Sequence, residues 1–216
     1  MNVILLGPPG AGKGTQARKI VDEFDFDYIS TGDMLRKEVQ SESRLGKIAK
    51  SYMNNGDLVP DSYIVEMIVD NLGELNTKNL IDGFPRNISQ AEALSIKLTE
   101  NQQKIAVVLH MNVDDEELIN RLSTRAVCVS CQNPFKLKFP EEILKINCEN
   151  SSNTYCDIKV RDDDNPKSVA RRITVYKNET FPVVKYYKDL NVNLVDIDAR
   201  GTEDEIFEEI SKFIAV

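Results

Sequence analysis

Short apolar runs alternate along the chain with longer stretches in which apolar residues recur every three or four positions. The first run, at residues 2–6, enters a loop that begins Gly-Pro-Pro-Gly, and helical periodicity starts near Thr15. This pattern predicts a strand, a glycine-rich loop and a helix in direct succession. Apolar strands separated by amphipathic helices are typical of a parallel sheet covered by helices on both faces. The apolar run at 105–111 predicts a further strand, and short strands are also predicted at residues 27–30, 79–81 and 193–197.

The remaining core helices are predicted from periodicity and from terminal signals. Four acidic residues at 114–117 lie where a helix would begin, and the helix dipole favours negative charge there. A long helix is expected to begin near Pro166, because proline suits the first turn, and to be disturbed at Pro182. Two further helices are predicted at residues 89–98 and 203–214. Together with the strands they define an α/β fold.

Two segments interrupt the alternation of strands and helices. Residues 31–75 predict consecutive helices at 31–39 and 45–54, and a third that Asp61 can cap. The other segment is rich in cysteine, proline and asparagine, which favours an irregular or β-rich insert. We therefore predict a core domain of residues 1–29, 61–125 and 165–216, with inserts at residues 30–60 and 126–164.

Composition and charge narrow the class of protein. The 216 residues are 41% hydrophobic, enough for one good-sized core. No apolar run approaches the ~20 residues that span a bilayer, and the first residues lack the features of a secretion signal. We therefore expect a cytoplasmic protein that binds no membrane. We also expect a monomer. The net charge of −8 argues against nucleic acid as a partner, although a local arginine cluster can still bind a small anion.

The four cysteines of the chain are clustered at positions 128, 131, 148 and 156. Chance placement would rarely confine all of them to so short a segment. Disulfide bonding is the weaker explanation in a reducing cytosol, and the spacing also suits a metal site.

The loop after the first strand has the spacing of a phosphate-binding loop. Gly7, Gly12 and Lys13 match that motif, and its position between a strand and a helix favours a phosphate ligand over a mere glycine-rich turn. A Ser or Thr hydroxyl normally follows the lysine and binds magnesium. Here Gly14 follows the lysine, and the hydroxyl comes one residue later at Thr15. Either the loop is a coincidence, or the chain handles its metal ion in another way.

Five segments together resemble the adenylate kinase family, and in particular its long bacterial type with a cysteine-containing, zinc-type lid. They are GPPGAGKGTQ at 7–16, STGDMLR at 30–36, LVPD at 58–61, DGFPRN at 82–87 and RDDD at 161–164. The resemblance covers essentially the whole chain. It implies the P-loop nucleoside monophosphate kinase fold, in which a central parallel sheet is flanked by helices. The two inserts then correspond to a helical NMP-binding subdomain at 30–60 and a lid at 126–164.

The resemblance implies reversible phosphoryl transfer from MgATP to AMP, giving two ADP. The nucleophile is the phosphate of AMP, so no protein base is needed, and His110 is expected to be structural. Such a transfer needs alignment and charge neutralisation, for which arginine is well suited. Arg36 and Arg86 are expected to bind the AMP phosphate. The implied catalytic residues are Lys13, Arg86, Arg125, Arg161 and Arg172.

The resemblance also implies two nucleotide sites. Arg121 matches the family position that stacks on the ATP adenine, and Gln90 can pair with the adenine edge of AMP. The expected ATP-binding residues are Gly10, Ala11, Gly12, Lys13, Gly14, Thr15, Arg121 and Arg200. The expected AMP-binding residues are Thr31, Arg36, Val59, Gly83, Arg86, Gln90, Arg161 and Arg172.

Two expectations concern metal ions. Magnesium often keeps several waters, so Asp33 and Asp82 are expected to hold Mg²⁺ of MgATP through water, although Asp33 also suits a helix start. In the lid, Cys128, Cys131 and Cys148 match a metal knuckle. The family usually places the fourth ligand three residues later, where this chain has Ser151, so we expect Cys156 to complete a structural Zn²⁺ site.

Three alternatives remain open from the sequence. The lid site can be degenerate, with free thiols, or a zinc ribbon for nucleic acid, which its excess of acidic over basic residues disfavours. A related kinase could use UMP, CMP or GMP in place of AMP. A nucleotide-binding switch could use the loop without transferring phosphate, although the arginine set disfavours it.

Overall fold

The structure is a computed structural model that describes residues 1–73, 75, 77–129, 133–136 and 155–215. Its centre is a five-stranded, all-parallel sheet. The strands are β1 (Asn2–Leu6), β2 (Asp27–Ser30), β3 (Asn79–Asp82), β4 (Ile105–Asn112) and β8 (Leu194–Asp198), in the spatial order β2-β3-β1-β4-β8. The predicted parallel sheet is confirmed.

Helices cover both faces of this sheet. In chain order they are α1 (Lys13–Phe24), α2 (Thr31–Gln40), α3 (Arg44–Asn55), α4 (Asp61–Val69), α5 (Ile88–Glu100), α6 (Asp115–Ser123), α7 (Pro166–Val175), α8 (Phe181–Asp189) and α9 (Glu203–Ile214). Strong local signals start several of them. Ser30 caps α2, Asn165 caps α7 ahead of Pro166, and Thr202 forms a capping box with Glu205 on α9.

The prediction that Asp61 caps α4 is wrong. Asp61 is the first helical residue, and Pro60 precedes it in the cap position. The Asp61 carboxylate instead accepts hydrogen bonds from the side chains of Asn87, just before α5, and Gln90, in its first turn. A tertiary partner has therefore taken the role that local propensity assigned to the helix end.

The core consists of two apolar layers, one on each face of the sheet. Successive residues of a strand point to opposite faces, so Val3 and Leu5 pack against α1 and α9, whereas Ile4 and Leu6 pack against α4, α5 and α8. All four side chains are buried. The apolar run that predicted β1 is continuous because both faces of this central strand are covered.

A second, smaller sheet lies in the segment predicted to be β-rich. It contains β5 (Arg125–Cys128), β6 (Pro134–Lys136) and β7 (Ile158–Lys159), paired antiparallel in the order β6-β5-β7. A single 3₁₀ turn, Asp162–Asp164, then leads into α7. The domain boundaries stay a prediction, although the small sheet begins at Arg125, beside the predicted boundary.

The long helix is interrupted near Pro182, as predicted. Residues Tyr176–Thr180 form a π-helical segment between α7 and α8, and Pro182 lies in the first turn of α8. Proline has no backbone N–H to donate and so does not fit the interior of a continuous helix. The Thr180 hydroxyl donates to the carbonyl oxygen of Arg86 at 2.8 Å, which ties the segment to the loop after β3.

The parallel sheet brings several loops to one edge. The carboxyl ends of β1, β2 and β3 lie side by side, with Ser30 paired to Asp82 and Leu5 paired to Asp82. Ligands of open parallel sheets bind outside these ends. Within the described residues, no helix combines the length and apolarity needed to cross a membrane.

Candidate active site

The glycine-rich loop connects β1 directly to α1. A Cβ on Gly7 would lie 2.7 Å from the carbonyl oxygen of Met111, so the chain passes too close to β4 for a side chain. Gly12 has a φ of 93°, in the left-handed region, and no side chain caps the helix that follows. The amino end of α1 therefore points its backbone N–H groups at the edge of the sheet, an arrangement that binds phosphate.

Lys13 lies inside this loop. Its ammonium group donates to the carbonyl oxygens of Gly7 and Pro8, both at 2.9 Å. Burial, followed by the positive charges of Arg86, Arg172 and Arg125, lowers the pKa of Lys13 to about 8, and the nearby Asp82 carboxylate opposes that shift. A positive charge held in this position favours an anionic ligand.

Among the cavities at this edge, two adjoin each other through shared lining residues. The larger, about 610 Å³, is lined by all six loop residues expected to bind ATP, which are Gly10, Ala11, Gly12, Lys13, Gly14 and Thr15. The smaller, about 70 Å³, lies between α2, α3 and α4; Thr31 and Ile64 of these helices and Val59 of the loop between α3 and α4 contribute to its lining. Both cavities are lined by the same four arginines: Arg36, Arg86, Arg161 and Arg172. The arginines therefore lie at the junction of two compartments.

Carboxylates hold three of the site's arginines in fixed orientations. Arg125 donates to both oxygens of Asp164, at 2.8 and 2.6 Å, and Arg161 donates to both oxygens of Asp163, at 2.9 and 2.7 Å. Arg172 donates to Asp164 as well, at 3.0 Å. A guanidinium group has five N–H donors, so each arginine keeps donors for a phosphate after binding a carboxylate.

Burial and mutual repulsion mark this cluster as electrostatically unusual. Burial, then the neighbouring Arg172, lowers the pKa of Arg86 to about 10, which still leaves it charged at neutral pH. Burial likewise lowers the pKa values of Arg36 and Arg125. Although burial acts in the opposite direction, the charge of Arg161 holds the pKa of Asp163 well below its usual range. Concentrated positive charge of this kind is typical of a binding site for a multiply charged anion.

Residues predicted to bind AMP surround the loop after β3. The Thr31 hydroxyl donates to the carbonyl oxygen of Gly83 at 2.8 Å, and Arg86 Nε donates to the same oxygen at 2.7 Å. Arg36 forms an ion pair with Asp33 on α2. Val59 is buried and contributes an apolar wall to the smaller cavity.

Gln90 is the expected AMP residue that lines neither cavity. It is buried, with 1% of its surface exposed, and both ends of its amide are bound. Its Nε2 donates to Asp61 at 2.7 Å, and its Oε1 accepts from the backbone N–H of Arg86 at 2.7 Å. Contact with a base would require Gln90 to exchange one of these partners, so the role of Gln90 as an adenine reader stays a prediction.

Arg121 and Arg200 differ in their placement. Arg121 lines the larger cavity and is braced by Glu117 at 2.7 Å, one helical turn earlier. The Arg200 side chain is exposed and paired with Asp198 at 2.6 Å, whereas the next residues, Gly201 and Thr202, line the cavity. His110 lines neither cavity; its ring lies between Asp196 and Tyr176, at 2.6 and 2.9 Å.

The two aspartates expected near magnesium both line the larger cavity. Asp82 is 8% exposed; its Oδ2 accepts a hydrogen bond from Tyr28 at 2.9 Å, and its Oδ1 is buried without a hydrogen-bond partner among the described residues. A buried carboxylate oxygen of this kind fits the water shell of a hydrated cation.

Sequence reasoning missed several residues of this site. Tyr28 contacts a key carboxylate, and Asp163 and Asp164 orient the arginines. The aspartates lie inside the RDDD motif, and the family resemblance of that motif implies no separate role for each carboxylate. The period of two along β2 places Tyr28 on the same face as Ser30, but its contact with Asp82 depends on the neighbouring strand and has no local signal.

Only part of the predicted cysteine site lies within the described residues. Cys128 and Cys156 are both buried in or beside the small sheet, at 0% and 8% exposure. Cys131 and Cys148 lie outside the described residues. Across the part of the chain that the structure describes, no cluster of three metal-ligating side chains is present.

The fold and the site together define a P-loop nucleoside monophosphate kinase, in which a phosphate loop faces a second compartment across shared arginines. Comparison with known proteins agrees with this class. The family model described as adenylate kinase matches residues 5–192. The chain therefore belongs to the adenylate kinase family. It is a phosphotransferase that converts ATP and AMP to two ADP, and it uses ATP together with magnesium.

Curated relatives match over nearly their full length. An adenylate kinase of Methanothrix thermoacetophila is 42% identical, over 100% of this chain and 99% of its own. One of Clostridium tetani is 41% identical, over 99% of this chain and 98% of its own. One of a Hydrogenobaculum species is 40% identical, over 99% of this chain and 100% of its own.

Replacing Arg86 tests the central position of this residue between the compartments. We expect Arg86→Gln to lower kcat roughly a thousandfold, because the change removes a guanidinium group expected to hold the acceptor phosphate in line with the donor. Lys13→Met should have an effect of similar size. Both are measured by coupled assay of ADP formation, with exposed Arg171→Gln as the matched control. A well-folded Arg86→Gln variant that turns over within tenfold of the wild type would contradict this role.

The lowered pKa of Lys13, about 8, predicts a pH dependence of MgATP capture. Lys13 carries its charge below this pH and loses it above, so kcat/KM for MgATP should fall about tenfold between pH 7 and pH 9. The value of kcat should decline only at higher pH, because bound phosphate stabilises the charged amine. Lys13→Arg, whose charge persists, should remove the decline. A wild-type kcat/KM that stays constant up to pH 9.5 would contradict this prediction, because it would show that capture of MgATP does not depend on deprotonation of Lys13 in this range.

Proposed function

We propose that the chain transfers the terminal phosphoryl group of MgATP in line and directly to the phosphate of AMP. One observation carries this mechanism: two cavities, one on the phosphate loop and one between α2 and α4, are lined by the same arginines. Two nucleotides bound phosphate to phosphate would share those guanidinium groups. A covalent enzyme intermediate is then unnecessary, since donor and acceptor meet directly.

Each arginine has a distinct part in this proposal. Arg36 and Arg86 bind the acceptor phosphate, while Arg125, Arg161 and Arg172 surround the transferring group. The carboxylates of Asp163 and Asp164 support these assignments, because they orient three of the guanidinium groups before the substrates bind. Preorganised charge lowers the cost of reorganisation during a reaction that passes through a loose, highly charged transition state.

The chemistry of the residues that line the two cavities supports the assignment of donor and acceptor sites. The donor ATP binds at the amino end of α1, where Lys13 contacts its outer phosphates and Thr15 contacts phosphate or water. Arg121 stacks on its adenine, and the backbone near Arg200 and Gly201 contacts the base. The acceptor AMP binds in the smaller cavity, supported by the apolar wall of Val59 and Ile64 and by the polar rim of Thr31 and Gly83.

Asp82 and Asp33 hold the magnesium ion of MgATP through its water ligands. Magnesium supplies charge neutralisation between the phosphates. The buried, unpartnered Oδ1 of Asp82 supports this assignment, as does the position of Asp33 on the same cavity. A carboxylate that accepts from bound water needs no direct metal contact, and this accounts for Gly14 in place of the usual loop hydroxyl.

The insert at residues 126–164 serves as a lid of the long, zinc-type kind. Arg125 and Arg161 flank the insert, so its closure would bring their charge onto the phosphates and exclude water. Cys128, Cys131, Cys148 and Cys156 would hold a structural zinc ion as a closed tetrahedral site. Burial of Cys128 and Cys156 on adjoining parts of the small sheet supports this ligand set.

We further infer a monomer that works in the cytoplasm, with ATP, AMP and ADP as its ligands. All the residues assigned to both nucleotide sites belong to one chain, so a second copy is not needed to complete them. Sedimentation equilibrium at the mass of one chain, 24.4 kDa, would support this assembly state.

A comparison of acceptors tests the proposed substrate pair. With MgATP as donor, we expect turnover with AMP to exceed that with UMP, CMP or GMP by at least 100-fold, because a site built on hydrogen bonds rejects bases that leave those groups unpaired. The measurement is kcat/KM for each acceptor in a coupled assay. Faster transfer to a pyrimidine nucleotide would overturn the AMP assignment, and no transfer to any acceptor would favour a binding protein.

Elemental analysis tests the metal in the lid. The purified protein should contain about one zinc per chain, and Cys128→Ser and Cys156→Ser should each lower that content and the Tm, since zinc ligation contributes directly to folding. The wild-type protein treated with a chelator serves as the control for the Tm. A wild-type preparation without zinc would exclude the site. Full zinc content in Cys156→Ser would exclude Cys156 as the fourth ligand.

A further inference from the structure

Tyr28 is placed by the sheet so that its hydroxyl reaches the end of the neighbouring strand. In the parallel pairing of β2 with β3, Tyr28 lies opposite Leu80 and Ser30 lies opposite Asp82. Side chains two residues apart share a face, so Tyr28 and Asp82 project on the same side, offset by roughly 6.6 Å. A phenol is long enough to cover this offset. Its hydroxyl donates to Oδ2 of Asp82 at 2.9 Å.

This hydrogen bond distinguishes the two oxygens of one carboxylate. Oδ2 is bound to Tyr28, whereas Oδ1 is buried and has no hydrogen-bond partner within the described chain. Asp82 lines the larger cavity, and its carboxylate is close enough to Lys13 to oppose the lowering of the Lys13 pKa by burial. Because a buried acceptor left without a donor is costly, Oδ1 is suited to accept from a water that arrives with the substrate.

Tyr28 also borders the position where a P-loop normally has its metal-binding hydroxyl. A Cβ on Gly14 would lie 3.9 Å from the Tyr28 hydroxyl oxygen, so the phenol lies beside the space that a Ser or Thr side chain would enter. Tyr28 lines the larger cavity together with Gly14 and Asp82. A hydroxyl from β2 therefore lies next to the position at which the loop lacks one.

We propose that Tyr28 is a positioning residue for the hydrated magnesium ion: it fixes the Asp82 carboxylate so that Oδ1 faces the water ligands of the metal. This inference rests on the proposed role of Asp82 in holding MgATP. Hydrogen-bond partners outside the direct ligands of a metal orient the groups that contact its shell. Tyr28 performs this task from a neighbouring strand.

The charge state of Tyr28 suits this task. Burial, followed by the adjacent carboxylates of Asp82 and Asp33, raises the pKa of Tyr28 far above neutral pH. The phenol therefore stays protonated, and toward an ionised carboxylate it can act only as a donor. The Tyr28 hydroxyl is therefore the donor in its hydrogen bond with Asp82.

Tyr28→Phe removes the hydroxyl and keeps the ring, so it isolates the hydrogen bond. The first readout is calorimetric binding of an ATP analogue that cannot transfer its phosphate, with and without Mg²⁺. We expect the tightening caused by Mg²⁺ to shrink about tenfold, as for other partners behind a metal shell, while the metal-free Kd stays within twofold of the wild type. The second readout is kinetic: kcat should fall by a similar factor while KM for AMP is unchanged.

Three comparisons decide the interpretation. Tyr63→Phe, at an exposed position on α4, is the matched control and should match the wild type. The inference would be overturned if Tyr28→Phe kept the magnesium dependence and the kcat of the wild type. It would also be overturned if the variant lost metal-free ATP binding and AMP binding equally, because such losses indicate a packing role.

Asp82→Asn tests separately the proposal that Asp82 holds the metal. If Asp82→Asn leaves the magnesium dependence intact, Asp82 does not hold the metal; if it alone reduces that dependence, only the role of Tyr28 fails.

Discussion

The site depends on bringing several guanidinium groups together beside one buried ammonium group. Like charges repel strongly where water is excluded, and burial already lowers the pKa of Lys13 to about 8 and that of Arg86 to about 10. Asp163 and Asp164 make the arrangement stable, since each pairs with two arginines. The carboxylates thus neutralise part of the positive charge in the free protein, and the phosphates of the substrates neutralise the rest.

The parallel sheet determines where this charge is concentrated. β1 and β3 are adjacent and buried on both faces, so a ligand can contact the loops at their carboxyl ends but not the faces of the strands. Lys13, at the start of α1, and Arg86, in the loop after β3, lie beyond these two carboxyl ends. Lys13 lines the larger cavity, and Arg86 lines both. Parallel pairing therefore places the two halves of a phosphoryl transfer next to each other without any long-range folding of the loops themselves.

Regular elements were predictable from the sequence, because burial on one or two faces leaves a clear period. The helix at residues 203–214 and the disturbance before Pro182 were both found in this way. Contacts between side chains that are distant in the sequence were not predictable from it. Asp61 carried an ordinary capping signal, yet its carboxylate binds Gln90 and Asn87, and nothing local indicates that Tyr28 reaches Asp82. Motif resemblance identified the arginines, but their carboxylate partners follow only from three-dimensional proximity.

The π-helical segment at residues 176–180 has a consequence for how the chain can vary in length. A π-helical turn contains about one residue more than an α-helical turn, and each residue of an α-helix rotates the chain by about 100° around the helix axis. The length of the segment therefore sets which side of α8 faces the sheet. Deleting a single residue there would turn Val183 and Tyr187, both buried, away from the sheet. It would also withdraw Thr180 from the carbonyl of Arg86. In related sequences, gaps in an alignment should therefore avoid this segment.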